Sequence, residues 1–395
     1  MMLEGKYGKA FVTIEDPEQE CISQIYSFLN HPVFTNYIAI MPDTHAGNGA
    51  VIGFTMPMTD KVISNVIGVD IGCGILSLKI SGHVINWEKI DKIIRRSVPL
   101  GFNTHLTPIA TIEKDFPWNT ANQHIQAFLK EYKKLFNRHF EFEGFTYAWY
   151  LESCKQKNIN PAQVDSSIGT LGGGNHFIEI GIDNNSDHWL TIHSGSRNFG
   201  LKIAQYWQKF AQGLPENKQN NKDLAYLSYP FNLGYLTDMI FVQHFAQLNR
   251  RRIAEWLNAD LDLHYTDSIE SIHNYIDFSD MIIRKGAIRS YAGERLIIPF
   301  NMRDGILICE GKSNKEWNYS APHGSGRTMS RTQAKKCLDI EQFKNQMTGI
   351  YSTCIGKETL DEAPDSYKPS EMIEQAIAPT AKIINRIKPL YNLKG

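Results

Sequence analysis

The fold of this chain is decided by the stretch Gly68-Val69-Asp70-Ile71-Gly72-Cys73-Gly74, which runs directly into Ile75-Leu76-Ser77-Leu78-Lys79-Ile80. Apolar residues dominate the second half of the stretch, which predicts a β-strand that begins behind a glycine-bearing turn. Glycine lets a backbone approach a ligand closely and adopt turns that are closed to other residues. The carboxylate of Asp70 and the thiol of Cys73 are side chains that bind divalent metals. We therefore expect a strand whose leading turn carries part of a metal site.

Further strands and helices are predicted on both sides of this stretch. Residues 37–41 predict another strand, and the segments 168–200 and 280–322 predict short strands separated by glycine turns. Apolar residues at helical spacing predict helices over residues 87–96, 122–137, 236–258, 328–338 and 371–387. The order of these segments mixes strands with helices along the whole chain.

The composition is that of a globular protein. With 395 residues, 42% hydrophobic and 21% charged, the chain can bury a sizeable core. The candidate metal ligands are spread from residue 70 to residue 323, so one interleaved domain is favoured over two independent ones. We expect a single α+β domain over residues 1–395, in which residues from about 102 to 165 form a variable, mostly helical insertion.

Charge and cysteine content limit the partners and the compartment. The net charge of -1 provides no overall field toward nucleic acid, so any RNA site must be a local basic patch. The six cysteines form no CxxC pair. The N-terminal residues lack a signal-peptide pattern, and no apolar run has transmembrane length. We expect a reduced, cytoplasmic protein with no membrane partner.

Three histidines stand in contexts that are typical of metal sites. His176 follows three glycines, His193 ends an apolar segment before Ser-Gly-Ser-Arg, and His273 precedes Asn-Tyr. Each also has a plainer interpretation, as a histidine satisfied by the backbone or partly buried in the core. Likewise, Asp70 could be a turn residue and Cys73 a small buried hydrophobe. The residues alone leave these alternatives open, although a thiolate shared between two metals would fit a binuclear site.

The segment His323-Gly324-Ser325-Gly326-Arg327 predicts a phosphate site. It precedes the predicted helix 328–338, and a histidine at a glycine turn and helix N-terminus would face a phosphate bound there. An imidazole can also act as a nucleophile or a base. Arg327 and Arg197 could pair with phosphate, with solvated surface arginines as the alternative.

One further histidine and two arginine clusters are not assigned to the metal or phosphate site. His244 lies inside the predicted helix 236–258 without a glycine context, and we interpret it as structural. The basic clusters Arg250-Arg251-Arg252 and Arg95-Arg96 are either solvated faces or RNA contacts.

Taken in order, the motifs of this chain resemble those of the RtcB family of RNA ligases over most of its length. The matching segments are Met41-Pro42-Asp43-Thr44-His45-Ala46-Gly47, Gly68 to Gly74, Gly169 to Glu179, His193 to Arg197, His273-Asn274-Tyr275, His323 to Arg331 and the terminal Lys394-Gly395. The resemblance implies the family's own α+β architecture of mixed sheets with surrounding helices. It also implies an enzyme that joins an RNA 3′-phosphate or 2′,3′-cyclic phosphate to an RNA 5′-hydroxyl, with GTP and two manganese ions.

The resemblance also implies a role for each ligand. Cys73 would bridge the two metals, Asp70 and His273 would hold one of them, and His176 and His193 would hold the other. His323 would attack the α-phosphate of GTP and carry GMP, which then passes to the RNA 3′-phosphate. Manganese is implied by the resemblance alone, since a site rich in Cys and His would favour zinc by intrinsic affinity.

The family pattern further implies a guanine nucleotide pocket. Glu179 would accept hydrogens from guanine N1 and N2, and Lys394 would donate to O6. The residues placed around GMP by the resemblance are Asn175, Phe177, Glu179, Ser325, Gly326, Tyr367 and Lys394. Contacts to phosphate or RNA are implied for Asp43, His45, Arg197 and Arg327.

The segment Ile298-Pro299-Phe300-Asn301-Met302-Arg303 departs from the family's Ile-Pro-Gly-Ser-Met-Gly. Serines of the family's guanine pocket fall at Asn301 and Ile306, and Phe300 replaces a glycine, so nucleotide affinity and strict use of GTP are open. Two alternative functions therefore remain: a binuclear metal phosphoesterase that opens cyclic phosphates, and a non-catalytic paralogue that binds RNA ends. Neither the physiological RNA nor an activating protein partner follows from the sequence.

Overall fold

A computed structural model describes residues 1–47, 49–81, 86–219 and 221–395 of the chain. The strands of this described part are β1 (Met2–Glu4), β2 (Lys9–Val12), β3 (Ile38–Ile40), β4 (Phe54–Pro57), β5 (Gly74–Ser81), β6 (Phe177–Ile182), β7 (His188–Ser194), β8 (His264–Ile272), β9 (Asn274–Ile276), β10 (Ile282–Lys285), β11 (Ala287–Arg289), β12 (Arg295–Pro299), β13 (Ile306–Gly311), β14 (Ser320–Pro322) and β15 (Ala381–Lys394). Its α-helices are α1 (Gln19–Leu29), α2 (Ser64–Ile67), α3 (Trp87–Ser97), α4 (Ile112–Asp115), α5 (Trp118–Phe136), α6 (Tyr147–Gln156), α7 (Pro161–Ser167), α8 (Arg197–Gly213), α9 (Phe231–Leu261), α10 (Arg331–Cys337), α11 (Ile340–Gln346) and α12 (Ser370–Ala376). Mixed sheets surrounded by helices confirm the expected α+β class.

A seven-stranded antiparallel sheet carries the predicted strand β5 near one end, in the order β12-β13-β15-β6-β7-β5-β8. Gly74 at the start of β5 lies opposite Ser194 of β7 and Ile272 of β8. Phe177 at the start of β6 lies opposite His193. The starts of β5 and β6 and the ends of β7 and β8 therefore meet at one edge of the sheet.

A six-stranded sheet in the order β1-β2-β3-β4-β10-β9 lies beside this edge. Its strands β2 and β3 pair in parallel, whereas the other neighbours are antiparallel. A separate two-stranded pair, β11 with β14, ends at Pro322 and so delivers His323 directly after it. Strand β9 follows β8 with only His273 between them, which joins the two large sheets at that residue.

Helix α9 is a core helix of the molecule, and most of its residues are buried. The ring of Phe241 packs at 4.1 Å from Phe116 and 5.3 Å from Phe145, both from the segment expected to be a helical insertion. That segment contains α4 to α7, which pack their aromatic residues onto α9. Among the described residues, no helix is both long and apolar enough to cross a membrane.

The predicted helix 371–387 is wrong over most of its length. The helix ends at Ala376, and residues from Ala381 onward form β15, which lies between β13 and β6 in the seven-stranded sheet. Pro379 interrupts the segment, and a proline removes a helical hydrogen bond and clashes with the preceding turn. Sheet partners far away in the sequence then supply the hydrogen bonds, which a local spacing pattern cannot reveal.

Candidate metal centre and nucleotide pocket

The five expected metal ligands converge at the shared edge of the seven-stranded sheet. Asp70 and Cys73 lie in the turn before β5, and His176 lies directly before β6. His193 stands near the end of β7, and His273 lies between β8 and β9. Because neighbouring antiparallel strands begin and end at this edge, residues about 200 positions apart come within reach of one ion.

The ligand atoms form two groups that share Cys73. Its Sγ lies 3.4 Å from Nε2 of His176 and 3.3 Å from Nε2 of His193. Asp70 Oδ2 lies 3.1 Å from Nε2 of His176, whereas the ring of His273 lies 5.1 Å from that of His193. The groups are thus Asp70, Cys73 and His176, and Cys73, His193 and His273, with the ligand atoms of each within 4.8 Å of one another.

This grouping corrects the expected pairing, in which Asp70 went with His273 and His176 with His193. Asp70 projects toward β6, and its other oxygen accepts from the backbone N–H of Ser196 at 2.9 Å. The register of the sheet places His273 on the other side of His193, next to the ring of His323 at 4.9 Å. The shared thiol agrees with the bridging position expected for Cys73.

The protonation of these ligands favours cation binding. Burial lowers the pKa of both His193 and His273 well below the usual value, so both imidazoles are neutral at pH 7. Nδ1 of His273 is buried and has no hydrogen-bond partner among the described residues. Burial, followed by the charge of Asp70, raises the pKa of the Cys73 thiol well above its usual value. A divalent cation would replace the thiol proton, because metals bind the thiolate.

Helix α9 holds the ligand loops from behind through Arg250, which is fully buried. Its guanidinium donates to the carbonyls of Gly72 at 2.8 Å and Ser194 at 2.9 Å, and it pairs with Glu270. Arg250 therefore belongs neither to a solvated face nor to an RNA contact, the two options that its basic cluster suggested. No sequence pattern marks this role, because the acceptors are backbone carbonyls.

Backbone contacts fix the histidine tautomers and the loop positions. Nδ1 of His176 bonds to the carbonyl of Leu171 at 2.9 Å, which leaves Nε2 for the cluster. A Cβ on Gly195 would lie 2.2 Å from Oδ1 of Asp70, so only glycine permits this loop to pass. The neighbouring Asn249 of α9 bonds to the loops on both sides, with Nδ2 donating to the carbonyl of Gly195 at 3.0 Å.

His323 is held by Asp43 from the motif Met41 to Gly47. Oδ2 of Asp43 lies 2.6 Å from Nδ1 of His323 and accepts from its backbone N–H at 3.1 Å. Asp43 is fully buried and its carboxylate is bound to His323, so it does not reach the pocket as the expected phosphate contact. This bond directs the proton to Nδ1 and leaves Nε2 as the ring nitrogen with a lone pair.

The surroundings of His323 differ from the expected helix N-terminus. Helix α10 begins at Arg331, and Gly324 to Ser330 form a loop between them. Gly326 has φ +72°, and a Cβ there would lie 2.1 Å from the carbonyl oxygen of Asp43. The glycines thus allow the loop to close over Asp43, rather than to present helix N–H groups to a phosphate.

A pocket with a cavity volume of about 190 Å³ opens in front of His323. It is lined by six of the seven expected nucleotide residues, together with His45, His193, Pro299, Phe300, His323, Gly324, Arg327 and Arg331. The six are Asn175, Phe177, Ser325, Gly326, Tyr367 and Lys394. Arg331 was not singled out as a site residue, although it ends a matching motif.

Glu179, the seventh expected nucleotide residue, lies behind the pocket wall. Its Oε2 accepts from Nδ2 of Asn392 at 2.8 Å, and its Oε1 is buried without a hydrogen-bond partner among the described residues. Burial raises the pKa of Glu179 to about 8, against the bond from Asn392 and the charge of Lys394. A ligand with paired N–H donors would satisfy the free oxygen and favour the ionised carboxylate.

Lys394 is positioned by Glu362, a residue that was not expected in the site. Nζ of Lys394 lies 2.8 Å from Oε2 of Glu362 and 5.1 Å from the centre of the Phe177 ring. The hydroxyl of Tyr367 donates to the same oxygen at 2.6 Å, and Arg331 donates to the other at 2.6 Å. The sequence feature that could have pointed to Glu362 is the acidic pair Asp361-Glu362, because Glu362 lies five residues before the expected pocket residue Tyr367.

The segment that departs from the family pattern forms a closed turn. Oδ1 of Asn301 accepts the backbone N–H groups of Arg303 at 2.9 Å and Asp304 at 3.0 Å. Ile306 is buried in β13, and Phe300 lines the pocket. Neither Asn301 nor Ile306 lines it, so a nucleotide would meet an aromatic ring here in place of hydroxyls.

The remaining expected phosphate contacts are held in different ways. His45 lines the pocket, and burial lowers its pKa to about 4. Arg327 lines the pocket while donating to the carbonyl of Asp361 at 2.5 Å. Arg197 lies outside the pocket and donates to the carbonyl of Gly101 at 2.8 Å.

Fold and site together define a protein in which a cluster of candidate metal ligands adjoins a pocket around a histidine that is bound to a buried carboxylate. The family described as "tRNA-splicing ligase RtcB" matches residues 24–395, so the chain belongs to the RtcB family, which supports an RNA ligase role. The chain is 30% identical to the RNA-splicing ligase RtcB of Escherichia coli K12 and 29% to RtcB1 of another Escherichia coli strain, each over 96% of this chain and 95% of the relative. It is 24% identical to the tRNA-splicing ligase RtcB of Nanoarchaeum equitans over 92% of this chain and 89% of the relative.

Proposed function

We propose that this protein is a GTP- and manganese-dependent RNA ligase that joins RNA 3′-phosphate or 2′,3′-cyclic phosphate ends to 5′-hydroxyl ends. The observation that carries the proposal is the bond of 2.6 Å between Asp43 and Nδ1 of His323, at the wall of a pocket beside the cluster of candidate metal ligands. Family membership supports the ligase class, and the geometry supports a histidine-linked nucleotide. RNA repair or tRNA splicing in the cytoplasm is the setting that we propose.

In the first step, Nε2 of His323 attacks the α-phosphorus of GTP. A nitrogen–phosphorus bond forms, the bond to the β-phosphate oxygen breaks, and pyrophosphate leaves. Asp43 keeps the proton on Nδ1 and stabilises the positive charge that develops on the ring. A neutral nucleophile is thereby available without prior loss of a proton to solvent.

In the later steps, GMP activates the RNA end. An oxygen of the RNA 3′-phosphate attacks the phosphorus of GMP and releases His323, after any cyclic phosphate has been opened with water. The 5′-hydroxyl oxygen then attacks the 3′-phosphorus, the phosphodiester forms, and GMP leaves. GMP is the better leaving group, because a free 3′-phosphate would have to expel an oxide.

Two manganese ions are proposed for the groups that share Cys73. Asp70, Cys73 and His176 would hold one, and Cys73, His193 and His273 the other. Neutral imidazoles, a thiol within 3.4 Å of two ring nitrogens and the unpartnered Nδ1 of His273 fit a cation at both groups. When bound, the ions would neutralise charge on the reacting phosphate oxygens.

Guanine selection is proposed to rest on Lys394 and Glu179. Nζ of Lys394 would donate to O6, and the unpartnered oxygen of Glu179 would accept a guanine N–H. Adenine has the opposite polarity at this edge, so it would leave both groups unsatisfied. Since Glu179 is nearly closed off from the pocket, guanine binding would include a small movement of the Phe177 wall.

The proposal is tested by incubating the protein with manganese and GTP labelled at the α-phosphate, followed by a denaturing gel. Wild type should retain the label, and His323→Ala should lose it. His139→Ala is the matched control. Because His139 is exposed, this variant should keep the label. Label from ATP alone would contradict guanine selection. Folded, metal-loaded protein that takes no label from any nucleotide would contradict the ligase proposal and favour a phosphoesterase or an RNA-end-binding protein.

A further inference from the structure

A second groove, separate from the nucleotide pocket, reaches the same metal-ligand cluster. It has a cavity volume of about 720 Å³, and its wall includes Asp70 and His176 of the cluster. From there it passes Arg197 and runs out to Phe102. The two linings share only Asn175 among the described residues, so one site of reaction has two separate approaches.

Phe102 stands at the rim of this groove with its side chain fully in solvent, at 106% relative exposure. The backbone on either side is fixed. The N–H of Gly101 donates to the carbonyl of Gly172 at 2.8 Å, and its carbonyl accepts from Arg197 at 2.8 Å. The N–H of His105 donates to the carbonyl of Ser166 at 2.9 Å. A hydrogen-bonded loop therefore presents an aromatic ring that is not buried against any described residue.

We propose that this groove receives the end of a single-stranded RNA and that Phe102 stacks on one of its bases. The inference rests on the proposed function, in which GMP on His323 fills the nucleotide pocket. An RNA end must then reach the reacting phosphorus by another approach. The groove is continuous with Asp70 and His176, so it provides that approach.

The lining offers a nucleic acid one cation, Arg197, and one exposed aromatic ring, Phe102. Arg197 is a cation in the groove wall, and its backbone is held at φ +56°, in the left-handed region that is strained for arginine. A guanidinium pairs well with a phosphate oxygen. A stacked base needs an exposed aromatic face and no hydrogen-bond code, since every base has a π-face. Phe102 thus contributes binding affinity without a preference for RNA sequence, as a ligase that acts on varied RNA ends requires.

The test uses a short, fluorescently labelled single-stranded RNA, with manganese and without GTP, and measures binding by anisotropy. RNAs ending in a 3′-phosphate and RNAs ending in a 5′-hydroxyl are measured separately. Phe102→Ala should weaken binding of at least one of them by about 5- to 150-fold, and Phe102→Trp should restore it. Leu106→Ala is the matched control, because Leu106 is equally exposed, at 104%, but lies outside the groove lining.

An RNA that lacks one base near its end separates stacking from general folding effects. At the stacked position, the abasic RNA should bind wild type and Phe102→Ala alike. Unchanged affinity of Phe102→Ala for both RNA ends would overturn the inference, as would an equal loss with Leu106→Ala. Labelling with GTP is measured in the same variants and should be unaffected, since Phe102 lies outside the nucleotide pocket. Failure of wild type to take GMP would instead count against the proposed function, so the two failures are distinguishable.

Discussion

At the scale of single residues, the contact between Asp43 and His323 separates this site from an ordinary metal cluster. A carboxylate with no exposure, bound to one nitrogen of a pocket histidine, fixes both the tautomer and the direction of the other nitrogen. The same logic orients His176, whose second nitrogen bonds to a backbone carbonyl. Two histidines held in the same way thus serve different chemistry, because one faces the ligand cluster and the other faces the pocket.

Asp43→Asn is expected to reduce the rate of GMP attachment by about 100-fold or more, with a smaller effect on GTP binding. An amide at position 43 would still occupy the space but would not stabilise the proton on Nδ1 of His323. The rate of labelling and the affinity for a non-hydrolysable GTP analogue would be measured side by side. Asp60→Asn, at an exposed aspartate, is the control. A rate within twofold of wild type would show that the tautomer is not limiting.

The depressed pKa of Glu362, which pairs with pocket residues, makes the stability of the fold depend on pH in the acid range. Burial alone would raise its pKa, but the charges of Lys394 and Arg331 outweigh burial and hold the pKa at about 2, against an ordinary value of 4.5. Since the folded-state pKa is depressed, the stabilisation is present above about pH 4.5 and is lost as the pH falls toward about pH 2. The shift corresponds to about 3 kcal/mol of the free energy of unfolding.

Glu362→Gln should therefore flatten the pH dependence of the free energy of unfolding between about pH 5 and about pH 2. It should also raise KM for GTP, because the neutral amide removes the negative charge that positions the amine of Lys394. Urea denaturation across pH and labelling at varied GTP would measure the two effects. Glu358→Gln, at an exposed glutamate, should change neither. If Glu362→Gln keeps the wild-type slope, the depressed pKa is not the source of acid sensitivity.

At the scale of elements, helix α9 holds the ligand loops in place through hydrogen bonds from its side chains. Arg250 and Asn249 are adjacent on this helix, and together they bond to the backbone on both sides of the ligand cluster. The aromatic residues of the insertion pack on the same helix one to three turns earlier, at Phe241. The helix therefore packs against both the segment from about 102 to 165 and the loops that carry the candidate ligands.

Arg250→Met should destabilise the fold by about 3 kcal/mol and lower metal affinity, because Glu270 and two backbone carbonyls lose a buried partner. Thermal unfolding and manganese titration would measure the two losses. Arg251→Met is a close control from the same cluster, since Arg251 is exposed on the next position of the helix. Equal behaviour of the two variants would argue against a structural role for Arg250.

At the scale of the whole molecule, metal binding would fasten the two large sheets to each other. The ligands come from the edge of one sheet and from His273, the residue between the sheets. An ion that binds only the folded state stabilises the whole chain by mass action. The stability of the protein and its metal content are therefore expected to change together.

Chelation should lower the thermal unfolding temperature, and Cys73→Ser should remove the difference between metal-loaded and chelated protein. Because the pKa of the Cys73 thiol is raised, metal uptake should release a proton and should weaken as the pH falls. Calorimetric titration in buffers of different ionisation enthalpy would count the protons. Cys337→Ser, at an exposed cysteine, should behave as wild type. An unchanged unfolding temperature on chelation would contradict the coupling.

The sequence predicted which side chains converge here better than it predicted their arrangement. Glycine-rich motifs marked Asp70, Cys73 and His323, since close approach and thiol or imidazole chemistry leave a local signature. The pairing of the ligands was wrong, because it depends on the register of β5, β7 and β8. The helix predicted over 371–387 was wrong for a related reason: β15 is stabilised by partners on β6 and β13.

By itself, the sequence determined the α+β class, the family and the set of side chains proposed to bind metal and nucleotide, because composition and motif are local properties of the chain. Only the tertiary structure decided that Asp43 orients His323 and that Arg250 is buried and bonds to the backbone of the ligand loops. It also decided that Glu362 positions Lys394 and that a second groove ends at Phe102. These features join residues that lie up to 280 positions apart. Their distances are set by strand register and helix packing, which no local pattern encodes.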